Sequence, residues 1–252
     1  MISRDELANY LADYLACDQF SDYAPNGLQV EGRANINQIC TAVTASEEII
    51  NKAAAMQADV LLVHHGYFWK GESPVICGMK RRRIGSLIAH DMNLFAYHLP
   101  LDCHPDVGNN ACFAELLEVD SVVAHTAGKT ANLLWSGVLA HPQSAPEFST
   151  YLTQKLKREP ILVSGTDKPI CRIAWCTGAA QDFIEDAYQV GVDAYISGEI
   201  SERTYYQAQE LGINYFACGH HATERYGIQA LGHHLSARFN LRHQFIDSVN
   251  PI

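Results

Sequence analysis

No apolar run in the 252-residue sequence approaches the roughly 20 residues that a membrane-spanning helix needs; the longest are strand-sized. The opening stretch MISRDELANYLADYL carries acids among its apolar positions, which argues against a secretory or transit peptide. Basic charge is in deficit, with 18 Lys and Arg against 28 Asp and Glu, giving a formal net charge of −10. Non-specific nucleic-acid binding rests on a basic surplus, so it is not expected. The one basic cluster, KRRR at 80–83, precedes IGSLIAHD and reads first as the solvated face of a helix start. Docking of a phosphate-bearing ligand is its other reading. Eight cysteines are present without a CxxC pair or clustered spacing. That pattern fits neither a disulfide framework nor a thiolate metal site, and free thiols in a reducing cytoplasm suit it better. There is no P-loop, no low-complexity tract and no linker between separate domains.

What is present is an ordinary folded composition, 48% hydrophobic and 18% charged, with strand and helix periods in alternation. Ser3 with Glu6 forms a capping box, and Leu7, Leu11 and Leu15 follow on one helical face. DYAPNGLQVEG at 22–32 reads as a turn-rich loop. QICTAV then predicts a strand, SEEIINKAAAMQ a helix, DVLLV a strand, RIGSLIAHD a helix and NLFAYH a strand. The order returns in RIAWCT, AQDFIEDAYQVG, DAYIS, ERTYYQAQELG and NYFACG, before a longer helix carrying Ile228, Leu231, Leu235 and Phe239. Shifting 38–65 by 134 lays it over 172–199 without a gap, matching Ile39 to Ile173, Ala45 to Ala179, Ile50 to Ile184, Ala53 to Ala187 and Asp59 to Asp193. The matched element order implies a duplicated α/β unit with parallel pairing. Between the halves, NLLWSGVLA, APEFSTYLTQKLK and PILVS read as strand, helix and strand. The expectation is one domain over 1–252: a first repeat to about 125, a connecting segment over about 126–168 and a second repeat from about 169.

Ligands of an open parallel sheet bind beyond the carboxyl ends of its strands. Those ends hold the chemistry here. One gives His64 and His65, the next gives HLPLD with His98 and Asp102, and the second half gives GHHATE with His220 and Glu224. Both third strands thus end in His-x-x-x-carboxylate. The second is expected to enter a helix, placing His220 and Glu224 on one face. In the first, Pro100 and Pro105 favour a loop. Imidazole and carboxylate suit zinc, iron(II) or manganese. Four histidines and two acids exceed the needs of one tetrahedral ion, so two divalent metal ions are expected. His90, His104, His125, His141, His233, His234 and His243 read as packed, hydrogen-bonded histidines. His221 reads as a group behind the ligands or an exposed one. Glu199, at the strand end equivalent to His65, is a candidate proton shuttle with a plain solvated or capping acid as its other reading. Gly108, Asn109 and Asn110 precede an apparent helix whose first amides could receive an anion.

SDYAPNGLQVEG, HHGYFWKGESPVI, HLPLDCHPDVGNNA, DAYISGEISE and GHHATERYG together resemble the NIF-three-like family, whose members are also known as GTP cyclohydrolase 1 type 2 homologs. The resemblance runs over nearly the whole length and is thinnest across about 120–168. It implies two intertwined α/β repeats with mixed sheets, and a ring-shaped homohexamer with dinuclear metal sites facing an internal cavity. It implies metal ligands at His64, His65, Asp102, His220 and Glu224, with Glu224 bridging. His98 falls in the matching motif as a ligand of one ion or a group behind it. Some members carry an extra domain inserted between the repeats; the corresponding stretch is short here, so a role that depends on such an insert is not expected. The implied function is a metal-dependent hydrolase acting on a nucleotide such as GTP or on another small phosphorylated metabolite. A metal-binding scaffold or regulatory interaction protein with little turnover is the alternative from a different class.

Overall fold

The runs ICTAV at 39–43 and VLLV at 60–63 are apolar on both faces, a pattern a sheet satisfies only when both of its sides are covered. The computed structural model describes all of residues 1–252 and sets these runs side by side as parallel strands. In chain order the strands are β1 (Ile2–Ser3), β2 (Gly27–Val30), β3 (Asn35–Ile36), β4 (Gln38–Thr44), β5 (Val60–His65), β6 (Asn93–Ala96), β7 (Asp120–Ala127), β8 (Thr130–Gln143), β9 (Ile161–Val163), β10 (Ile170–Trp175), β11 (Ala194–Ser197), β12 (Asn214–Ala217) and β13 (Arg242–Phe245). The helices are α1 (Arg4–Tyr14), α2 (Glu47–Ala55), α3 (Gly78–Ala89), α4 (Leu99–Cys103), α5 (Asn109–Leu117), α6 (Ala145–Leu156), α7 (Ile184–Val190), α8 (Glu202–Leu211), α9 (His220–Thr223) and α10 (Arg225–Phe239). None is long and apolar enough to cross a membrane. All eight cysteines are free.

The chain forms two compact units. The first, Met1–Leu101 with Gly227–Val249, holds a five-stranded sheet in the order β13-β4-β5-β6-β2 and the small pair β1-β3. β13, β4, β5 and β6 run parallel, so the last strand of the chain completes the first sheet. Ile49, Ile50 and Ala53 of α2 and Ile84 and Leu87 of α3 bury against Leu61, Val63 and Leu94 in one core cluster. Ser3 starts α1 with half of the expected capping box, its hydroxyl accepting from Glu6 N at 3.1 Å. The second unit, Asp102–Tyr226 with Asn250–Ile252, holds a six-stranded sheet in the order β7-β8-β10-β11-β12-β9. Only β10, β11 and β12 are mutually parallel; β8, β7 and β9 join antiparallel. The fold is therefore α/β with mixed sheets.

Two aspartates 134 residues apart make the same pair of contacts. Asp59 accepts from Asn37 N and Gln38 N at 2.7 and 2.9 Å, tying the start of β4 to that of β5. Asp193 accepts from Cys171 N and Arg172 N at 2.9 and 2.8 Å, 134 residues further on. A carboxylate that satisfies two strand-end amides is costly to lose, at about 1–3 kcal/mol for each donor left buried and unmet. Two sequence expectations are corrected. The 22–32 stretch is not wholly loop, because Gly27–Val30 pairs antiparallel with β6 as an edge strand too short to show a period. Pro100 does not keep the segment after β6 as a loop. It lies in the first turn of α4, where its missing N–H would have had no helical partner anyway.

Candidate metal centre

In the first unit, β5 ends on His64 and His65 and the chain leaves β6 at His98. Their ligand nitrogens lie within 4.8 Å of one another. The ring centroids of His64 are 4.5 Å from His65 and 5.2 Å from His98. A strand sends successive side chains to opposite faces, yet at its terminus both imidazoles reach one point. The turn after them permits this. Gly66 follows at once, and a Cβ there would meet Gln29 Oε1 at 2.2 Å and the Ala96 Cβ at 2.6 Å.

Each imidazole in this trio is held by its Nδ1. His64 Nδ1 donates to the Tyr97 carbonyl at 2.9 Å, with the ring fully buried. A carbonyl can only accept, so the neutral ring carries its proton on Nδ1 and its lone pair on Nε2. His98 Nδ1 is 2.7 Å from the Asp22 carboxylate, which imposes the same tautomer. His65 Nδ1 lies 3.1 Å from Thr44 Oγ1. Asp22 is itself fixed, accepting from Leu99 N at 2.9 Å and from Asn26 Nδ2 at 2.9 Å. Burial would raise its pKa, but the hydrogen bonds from His98, Asn26 and Tyr23 N outweigh that and hold it below the usual carboxylate range.

In the second unit, His220 opens α9 and Glu224 closes it one turn later. The expected shared face is present: His220 Nε2 lies 3.1 Å from Glu224 Oε2. His220 Nδ1 lies 2.7 Å from Glu199 Oε1, so the candidate proton shuttle stands where it orients this ring. Burial lowers the His220 pKa, but hydrogen bonds and charge from Glu224 and then Glu199 overcome it and push the group up to about 9. Glu224 is only 3% exposed. Gly178, with a φ of +72°, makes room for it, since a Cβ there would sit 2.0 Å from Glu224 Oε1 and 3.2 Å from His220 Nε2. Asp102, on α4 and buried, accepts from Asn109 Nδ2 at 2.9 Å. Asn110 donates to the Asp102 carbonyl at 3.1 Å and accepts from Thr177 N at 3.1 Å.

The donor set fits a divalent cation. Imidazoles that bind metal characteristically hand their other N–H to a carboxylate or carbonyl, which fixes ring and tautomer. His64, His98 and His220 all do so here, and the Gly178 cradle leaves space beside a buried carboxylate. The groupings of His with Asp or Glu can therefore bind metal. Sequence reasoning missed the residues that hold the ligands: Asp22, Thr44, Asn109 and Asn110. Asp22 lies in a turn-rich stretch far in sequence from His98, with no ligand spacing to single it out. At Asn109 and Asn110 the side chains, rather than the backbone amides, make the contacts to Asp102 and Thr177. Of the histidines expected to be packed and hydrogen-bonded, His90, His104, His125, His234 and His243 make hydrogen bonds, whereas His141 and His233 are exposed. His243 Nε2 lies 2.8 Å from Thr41 Oγ1, and burial, with the nearby His233, lowers its pKa to about 4. His125 lies 2.8 Å from Ser136 Oγ, and His104 Nδ1 accepts from Asp106 N and Val107 N, each at 3.2 Å. His221 is buried.

Comparison with known proteins places these residues in context. The family described as Duf34/NIF3 (NGG1p interacting factor 3) matches residues 2–251. A Pseudomonas aeruginosa relative named GTP cyclohydrolase 1 type 2 homolog is 50% identical over 238 residues, covering 94% of this chain and 94% of the relative. A solved structure described as protein ybgI, of unknown function, superposes with a TM-score of 0.95 at 45% identity over 100% of both chains. The crystal structure of TTHA1606 from Thermus thermophilus gives a TM-score of 0.88 at 32% identity, again over 100% of both.

Proposed function

The chain belongs to the Duf34/NIF3 family, and on that premise we propose that it is a metal-dependent hydrolase built on a pair of divalent ions. The residues that would hold the ions in this reading are His64, His65, His98, Asp102, His220 and Glu224. That the two ligand sets serve one dinuclear centre is inferred from the family motifs. The observation that carries the reading is the tethering of Nδ1 to an oxygen on four candidate ligand histidines. Zinc, iron(II) and manganese(II) all suit such donors. Such ions, when bound, would supply Lewis acidity and a water made acidic enough to act as a nucleophile near neutral pH.

The chain's own contribution is positional. Asp22, Tyr97, Thr44 and Glu199 aim the imidazoles, while Asn109 holds Asp102. Glu199 lies where it can also pass a proton to or from the His220 ring. The substrate is proposed to be a nucleotide or a small phosphorylated metabolite, as the relatives' name suggests. The family resemblance further supports a ring of six copies, and the free cysteines support a reducing cytoplasm.

The test is an activity panel on metal-loaded protein. Consumption of GTP with release of formate, or release of phosphate from a model ester, is the expected result. Inertness across a broad panel with the metal in place would favour the scaffold reading instead.

A further inference from the structure

Beside the first ligand set, aromatic side chains remain near the surface although the loop carrying them is firmly built. Tyr67 leaves the buried strand end with its hydroxyl donating to the Ala45 carbonyl at 2.6 Å. Gln29 brackets its backbone, accepting from Tyr67 N at 2.7 Å and donating to Tyr67 O at 3.1 Å. Phe68 follows at a φ of +65°, a conformation a bulky residue adopts only under constraint. Trp69 N donates to Glu72 Oε2 at 3.2 Å, and Trp69 Nε1 to the Gly66 carbonyl at 3.3 Å. Lys70 N donates to the Tyr23 carbonyl at 2.6 Å, joining this loop to the one that carries Tyr23. Lys80 clamps the far side, 3.3 Å from Glu72, 3.0 Å from the Ser73 carbonyl and 4.9 Å above the Phe68 ring.

Packing does not account for what this loop displays. Tyr23 is 63% exposed, and Trp69 is only half-buried. Both rings converge on His98. Trp69 stands edge-on to it with centroids 5.1 Å apart, and Tyr23 approaches from its own loop at 6.3 Å. Trp69 is also 6.0 Å from His65. Two flat, polarisable surfaces held beside candidate ligands suit a ligand that is itself flat. Stacking on an aromatic side chain is sequence-tolerant because every nucleobase has a π-face. A ringless phosphate ester would gain nothing from either surface.

We infer that Trp69, together with Tyr23, forms a stacking surface for the planar heteroaromatic ring of the substrate, so that the substrate class is nucleobase-bearing. The inference rests on the metal-site reading for its placement but has its own readout. Of the three tryptophans, Trp135 and Trp175 are buried, which leaves Trp69 as the emission a bound ring would quench.

The experiment is a fluorescence titration of metal-loaded, full-length protein with guanosine 5′-monophosphate and, separately, ribose 5-phosphate. The nucleotide quenches and the sugar phosphate does not. Trp69→Ala, followed by calorimetry, weakens nucleotide binding roughly tenfold, the loss of one base–aromatic stack. Trp69→Phe retains most of the affinity, and elemental analysis finds the metal content of both variants unchanged. Unchanged nucleotide affinity in Trp69→Ala would overturn the inference. So would equal binding of the two probes, failure of the metal-bearing wild type to bind the nucleotide, or loss of metal in Trp69→Ala. A wild type that takes up no metal would overturn the metal-site reading alone, since the same titration still reports on Trp69.

Discussion

Glu224→Ala is expected to purify as a folded protein that has lost at least about a hundredfold in metal affinity and its hydrolytic turnover. The magnitude follows from what the carboxylate does. Outer partners that merely orient a ligand are worth about 10–100-fold in metal affinity, and a direct ligand exceeds them. Glu224 is buried, one oxygen 3.1 Å from His220 Nε2 and the other over Gly178. Its contact with His220 is polar, so in metal-free protein the substitution removes that pair's contribution to stability, and circular dichroism must show the fold retained. Asp102→Ala is expected to behave alike, whereas Glu199→Gln removes only the support of His220 and falls within the smaller range. Circular dichroism separates loss of metal from loss of fold, and competition with a chromophoric chelator gives the affinity. Wild-type affinity in both alanine variants would remove the two carboxylates from the ligand set.

Metal-free protein is expected to lose stability as the pH rises from about 6.5 to beyond 9. The sign follows from His220. Burial works against its charge, but Glu224 and Glu199 prevail, so its folded pKa is about 9 against an ordinary 6.5. A raised folded pKa means the folded state holds the proton more tightly. The stabilisation is complete below the unfolded value and disappears as pH passes the folded one. The side chain is 26% exposed, and the contribution is on the order of 1–3 kcal/mol. Calorimetry of chelator-treated protein at both ends of this window should show a lower melting temperature at the alkaline end. Glu199→Gln should flatten the difference. The same proton must leave before Nε2 can ligate, so metal affinity should rise with pH up to about 9. Wild type and Glu199→Gln losing stability in parallel would assign the effect to other groups.

Much of this was legible in the sequence because it is local. The histidines at 64 and 65, and the His220–Glu224 pair, are set by strand ends and one helical turn. Asp59 and Asp193, which the 134-residue shift pairs, each accept from two amides at a strand start. What was not legible is what depends on partners far along the chain. Asp22 and His98 are 76 residues apart, and Thr44 and His65 are 21 apart. No periodicity links either pair. β2 escaped because four residues on a sheet edge carry almost no pattern, and β7 because most of it faces solvent. The return of β13 to lie beside β4 is a tertiary choice that no local propensity dictates.

The metal-to-chain ratio of purified protein reconstituted with zinc, iron(II) or manganese(II), measured by elemental analysis after removal of loosely held ions, bears most directly on the chemistry proposed here. The proposed ligand set, imidazoles locked by their Nδ1 atoms and two buried carboxylates, predicts two ions per chain for at least one of these metals. A ratio near zero for all three would mean that these side chains serve another purpose.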